Sequence, residues 1–137
     1  MQISKQLIYK NITKYDIDTF HVLRFSAKHC RACKAGEKSF KQQCESNRLS
    51  YSLIDVHECS DCIKEFNIKT VPRYDIYIPV EQIPQQQMEW IHKNSDTIMT
   101  KNIKEGQKIS IFYVFENVAN FEEFSKNMVS RLRSDTR

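Results

Sequence analysis

The chain has 137 residues, 40% apolar and 28% charged, which predicts a single domain over residues 1–137 able to bury roughly two thirds of its unfolded surface. Its net charge of +4 is small and includes no run of five like charges, which argues against nucleic acid or an anionic membrane as partner. No 18 apolar residues run together and Met1-Gln2-Ile3-Ser4-Lys5-Gln6 lacks the apolar core of a signal peptide, so a soluble, cytoplasmic protein is expected.

In chain order, Leu7-Ile8-Tyr9-Lys10-Asn11-Ile12 reads as a first short strand, with Thr13 capping a helical turn over Lys14 to Phe20. His21 to Ala27 predicts a buried strand interrupted by Arg24. From Arg31 to about Arg48, Ala32, Cys33, Gly36, Phe40 and Cys44 recur every three or four positions, which predicts a helix with a narrow apolar face. Tyr51 to Val56 is the next strand, and Ser60 to Phe66 a short helix closed by Asn67. Thr70-Val71-Pro72 leads into an alternating strand over Tyr74 to Ile78. Pro79 and Pro84 bracket a break, and residues 79–107 predict an irregular or partly helical insertion, with helical turns at Gln85 to Trp90. Lys108 to Phe115 is the clearest strand, and Asn120 to Leu132 a terminal helix with Phe121, Phe124, Met128, Val129 and Leu132 on one face. A β-α-β unit followed by a hairpin and a closing helix predicts a small mixed sheet with helices on both faces. Reactive groups gather where strand carboxyl ends meet helix amino ends, and Cys30 falls at that edge.

The tetrapeptide Cys30-Arg31-Ala32-Cys33 follows the apolar run Val22 to Ala27 and opens a helix. Two thiols one helical turn apart can close on each other with little backbone movement. A sulfur at a helix N-terminus is stabilised as thiolate by the macrodipole, and thiolate is the form that attacks disulfides. Five cysteines is an odd number, which leaves one thiol over in any fully paired framework.

The segment Phe25-Ser26-Ala27-Lys28-His29-Cys30-Arg31-Ala32-Cys33-Lys34 resembles the thioredoxin active-site segment. Asp55-Val56-His57 resembles the end of the third thioredoxin strand, and Phe66-Asn67-Ile68-Lys69-Thr70-Val71-Pro72 the segment that ends in a cis-proline facing the dithiol. The resemblance covers about residues 7–78 and resumes at 108–132, and it is specific because a CxxC and a Val-Pro about 39 residues later each fall in the right context. It implies an α/β thioredoxin fold: a central mixed sheet of four to five strands flanked by helices on both faces, with an insertion before the last strand. It also implies that Cys30 is the exposed attacking thiol, Cys33 the buried resolving thiol, and Pro72 a cis residue whose neighbour Val71 offers backbone to substrate.

The chain departs from the family at several points. Arg24 stands where thioredoxins bury a carboxylate that assists deprotonation of the resolving thiol, and a cation near Cys33 lowers a thiol pKa directly. His29 replaces the Trp before the first cysteine, and Arg31-Ala32 the Gly-Pro between the two. His29 and Arg31 surround Cys30 with positive or partly positive charge, which predicts a more oxidising dithiol than in a typical thioredoxin. Arg73 takes the place of a small polar residue after the proline, Lys38 that of a helix-kinking proline, and about twenty-five residues are added before the last helix.

His57-Glu58-Cys59-Ser60-Asp61-Cys62 repeats the theme at the next helix start. Cys59 and Cys62 are open to three readings: a second dithiol that pairs or relays with Cys30, half of a four-cysteine zinc site, or a buried packing residue beside an incidental surface thiol. The zinc reading suffers from the 25 residues between the pairs, against roughly 15–20 in zinc ribbons, and no metal is assigned. Cys44 reads as core packing, His21 and His92 as surface or edge histidines, and Trp90, with Met88 and Ile91, as packing for the insertion or an anchor for a partner.

Two functions follow. One is a thiol-disulfide oxidoreductase exchanging protein disulfides through Cys30/Cys33 with a thiol reductant or oxidant partner, without metal or organic cofactor. The other is a thioredoxin-like accessory subunit of a larger assembly with weak or no turnover.

Overall fold

The computed structural model describes residues 3–12, 20–79, 89, 93, 95, 97–103 and 108–134. The elements are α1 (Lys5–Ile12), β1 (His21–Ser26), α2 (Arg31–Ser46), β2 (Ser50–Asp55), α3 (Cys62–Glu65), β3 (Arg73–Pro79), β4 (Thr97–Ile103), β5 (Lys108–Phe115) and α4 (Val118–Ser134). One five-stranded sheet runs β2-β1-β3-β5-β4. β1 and β2 are parallel and joined through α2, and every other pairing is antiparallel.

Period-two alternation sends side chains to two cores. Val22, Tyr74, Ile76, Ile78, Ile111, Tyr113 and Phe115 face α2 and α4, meeting Phe40, Cys44, Phe121, Phe124 and Met128. Leu23, Phe25, Tyr77 and Phe112 face the other way, where Ile8 and Ile12 of α1 and Phe66 after α3 cover them. Only two of 137 residues are glycine, and the left-handed positions that end α2 and α3 fall to Arg48 (φ 55°) and Asn67 (φ 51°).

Two sequence expectations change here. The stretch Leu7 to Ile12 is helix, not strand: Ser4 Oγ accepts from Leu7 N at 3.3 Å as an N-cap does, and buried Ile8 and Ile12 lie one turn apart. A short apolar run fits either period, and here the helical one buries the better face. Part of the expected irregular insertion is the strand β4, paired with β5 from Thr97↔Val114 to Ile103↔Lys108. Its Thr, Lys and Asn residues are edge-strand chemistry, which blurs alternation. The expected turns at Lys14 to Phe20 and Gln85 to Trp90, together with Ile91 and His92, lie outside the described residues, Phe20 and Glu89 excepted.

His21, expected at the surface or an edge, is fully buried on β1. Its Nδ1 is 2.8 Å from Ser50 Oγ and its Nε2 2.7 Å from Ser52 Oγ. The Ser50 hydroxyl donates to Phe20 O, so Nδ1 donates to Ser50 and Nε2 accepts from Ser52, a pattern for neutral imidazole. Burial lowers its pKa from 6.5 to about 4. The unfolded chain therefore takes up a proton that the folded one refuses, and stability falls as pH drops from about 6.5 towards 4. The expected loss is on the order of 3 kcal/mol. Urea midpoints at pH 7 and pH 4 measure it, and His21→Gln should flatten the slope.

Candidate functional site

At the carboxyl end of β1 the chain turns through Lys28 and His29, with Cys30 N donating to Ala27 O at 3.1 Å, and enters α2. Cys30 is the N-cap of this 16-residue helix: its backbone is extended (φ −88°, ψ 111°), and its Sγ accepts from Cys33 N at 3.1 Å. The first sulfur thus occupies the place a Ser or Asp oxygen takes in an ordinary cap, against the positive end of the macrodipole. Cys30 and Cys33 are joined as a disulfide, Cα atoms 5.2 Å apart. Cys30 is half-buried, whereas Cys33 is 3% exposed.

Across from the dithiol, Cys30 Sγ lies 3.8 Å from the carbonyl oxygen of Val71, and the Val71–Pro72 peptide is cis. Val71 and Pro72 are both half-buried, which leaves this face open to an incoming chain. His29 and Arg31 flank Cys30 and are exposed.

Arg24 is 1% exposed, on the α2 side of the sheet. Its Nη2 donates to Cys33 O at 2.7 Å, and its guanidinium sits 5.5 Å from the Phe40 ring centroid and 5.7 Å from that of Tyr74. Its Nε has no hydrogen-bond partner. Behind the dithiol a cleft of about 440 Å³ is lined by Arg24, Ser26, Cys33 and Asp55, among others. At Gly36 α2 passes close to the guanidinium, a Cβ there lying 3.5 Å from Nη2, ordinary contact distance. No sequence signal pointed to this cleft or to the close approach at Gly36.

On the opposite face Arg73, next to Pro72, makes a buried two-pronged pair with Asp75: Nε to Oδ1 at 2.8 Å and Nη2 to Oδ2 at 2.9 Å. Arg73 Nη1 donates to Asn67 O at 3.0 Å, and the guanidinium lies over Phe25 at 5.8 Å. Sequence reading missed this pair, although Arg and Asp two residues apart on a strand share a face.

Cys59 and Cys62 form a second disulfide, 1% and 0% exposed, so Cys59 is not a surface thiol. They belong to the apolar cluster under α1. Around them the loop receives the N-terminal segment: Ile3 N donates to Glu58 O at 2.8 Å and Lys5 N to Asp61 Oδ1 at 2.9 Å. Lys5 Nζ pairs with Glu65 at 3.2 Å, and Tyr9 OH donates to the same carboxylate. Among the described residues, the one group of three metal-capable donors is Cys59, Asp61 and Cys62, which Cys30 and Cys33 do not join, so the four-cysteine arrangement is not formed. Replacing both Cys59 and Cys62 by serine removes a four-residue closed loop, for an expected cost of about 2 kcal/mol. Hydrogen exchange over residues 5–12 should then accelerate, and unchanged protection there would contradict this. Cys44 is buried against Phe40 and its neighbours, and burial pushes its thiol up to about 12, so it is an inert packing residue.

Sheet order, the parallel β1-α2-β2 unit and the antiparallel remainder define a thioredoxin-like α/β fold. No protein-family model and no curated sequence matches the chain. Solved structures do match. The chain is similar to a thioredoxin of Trichomonas vaginalis at 13% identity and TM-score 0.62, over 93% of this chain and 94% of that one. A Fasciola hepatica thioredoxin matches at 13% and 0.55, over 96% and 98%, and a chloroplastic thioredoxin z at 20% and 0.54, over 97% and 93%. At these identities the likeness is one of fold.

Proposed function

We propose that the chain, acting as one domain, is a thiol-disulfide oxidoreductase whose working pair is Cys30 and Cys33. The observation that carries this is the half-exposed Cys30 sulfur at the N-cap of α2, 3.1 Å from the Cys33 amide and facing the Val71 carbonyl. In the reduced protein the same N–H and the helix terminus stabilise a Cys30 thiolate. That thiolate attacks a substrate disulfide, a mixed disulfide forms and one substrate thiolate leaves. Cys33 then attacks Cys30 sulfur, the intramolecular disulfide forms, and the second substrate thiolate leaves, for two electrons transferred in all. An external dithiol restores the pair, and the reverse sequence oxidises a substrate. Val71 and Pro72 supply the backbone against which the substrate chain lies. His29 and Arg31, exposed beside Cys30, favour the thiolate and make the dithiol more oxidising. Partners on this reading are disulfide-bearing proteins and a thiol reductant or oxidant.

A second reading, a redox-weak accessory subunit, has two observations in its favour: a buried cation where a proton acceptor would serve, and a sheet extended by β4. Insulin reduction driven by a small dithiol separates them. Turnover that Cys30→Ser abolishes supports the first reading, and no turnover in the unaltered protein supports the second.

A further inference from the structure

Among the described residues no carboxylate lies within ion-pair distance of Arg24, although it is almost wholly buried. Its hydrogen bond goes to a neutral carbonyl, its Nε bonds nothing, and the Phe40 and Tyr74 rings lie beside the guanidinium. A buried charge in this state is costly until a counter-ion forms beside it. The residue whose carbonyl it holds, Cys33, lines the same cleft and carries a thiol able to become one, though only when the disulfide is opened.

We propose that Arg24 is a positioning charge for the resolving sulfur: in the reduced protein its buried guanidinium takes the Cys33 thiolate as counter-ion, so that Cys33 attacks without a carboxylate base. This rests on the oxidoreductase reading and deepens it. In the mixed disulfide, Cys33 thiolate attacks the Cys30 sulfur and displaces the substrate sulfur from it. The Cys30–Cys33 bond forms, the mixed bond breaks, and the departing substrate thiolate takes its proton from water, with no protein group gaining or losing one. The disulfide form leaves the guanidinium unpaired, so Arg24 also shifts the dithiol equilibrium towards the reduced state.

Other charges face the same cleft: Lys28 and Lys34 beside α2's first turn, Glu37 on α2, Asp55 ending β2, and Glu58 beyond it. The Tyr74 hydroxyl of β3 lies 3.9 Å from where a Cβ on Gly36 would stand. The Lys and Glu side chains stand near solvent, where water and salt screen them, and their signs offset. Arg24 acts from inside, where screening is weakest.

The test is iodoacetamide alkylation of Cys33 against pH in a Cys30→Ser background, comparing Arg24 with Arg24→Met and Arg24→Lys. The Met variant should move the midpoint up by about one pH unit or more, and the Lys variant should keep most of the Arg value. In the otherwise unaltered chain, Arg24→Met should shift the equilibrium with glutathione about tenfold towards the disulfide, about 30 mV. If the Met variant does not fold, Arg24→Gln, which is neutral but able to keep the bond to Cys33 O, takes its place. A midpoint shared by charged and neutral variants overturns the proposal, as does a Lys variant shifted as far as Met. Loss of insulin turnover in the unaltered chain would instead remove the oxidoreductase reading and leave the Cys33 titration standing.

Discussion

Mixed with a disulfide-bearing protein, a Cys33→Ser variant is expected to accumulate a one-to-one covalent adduct through Cys30, with turnover falling to the uncatalysed background. The first attack needs only the Cys30 sulfur, which keeps its place at the head of α2 and its donor, the amide of residue 33. The second step needs a sulfur at position 33, and a serine hydroxyl has neither the nucleophilicity nor the bond to give. Cys30→Ser should form no adduct with a protein disulfide, because the freed Cys33 is only 3% exposed and the other pair is buried under α1. Non-reducing electrophoresis followed by peptide mass analysis distinguishes these outcomes. An adduct mapped to Cys59 or Cys62 in the folded protein would sink the assignment of Cys30 as the attacking thiol.

Arg73→Met is expected to cost about 3–5 kcal/mol, the penalty for leaving a buried charge without its partner. Asp75 is wholly buried and depends on Arg73 for both its hydrogen bonds, at 2.8 and 2.9 Å. Burial pushes its carboxyl up to about 6, while Arg73's hydrogen bonds and charge pull it down. Removing Arg73 pushes it further up. A carboxyl raised on folding above its unfolded value of 3.8 favours the folded state at low pH and loses that as pH rises through the folded value. The variant's deficit should therefore be small near pH 4 and largest above pH 6. Urea midpoints of variant minus wild type at each pH cancel the opposite acid sensitivity of His21. Asp75→Asn added to Arg73→Met should recover most of the deficit, because an amide carries no charge to strand. A deficit that does not change with pH would show that the loss is packing over Phe25 and not charge.

The fold was legible where burial follows a regular period. The strands at His21, Tyr51, Tyr74 and Lys108 and the helices after Cys30 and Val118 each fell within a few residues of their reading. The reading failed at α1, where the decisive partners are 56 positions away: Lys5 is held by Asp61, and Tyr9 by Glu65. It failed again at β4, where polar residues carry no period even though the partner β5 is the next strand in the chain. The cysteine pairs and Val71-Pro72 were visible as motifs. That Arg24 would be sealed among aromatic rings, or that Arg73 would find Asp75, depends on which face of a strand meets which helix, and neighbours in sequence do not record that.

The unequal burial of the two cystines gives the chain two tiers of electron capacity. Fully oxidised it stores four electron equivalents of oxidising power, yet only the pair at Cys30 lies where a dissolved thiol can collide with it. The other two equivalents sit beneath the first helix, so titrating the native protein should show a plateau at half capacity, and the reserve is released only when that cover lifts.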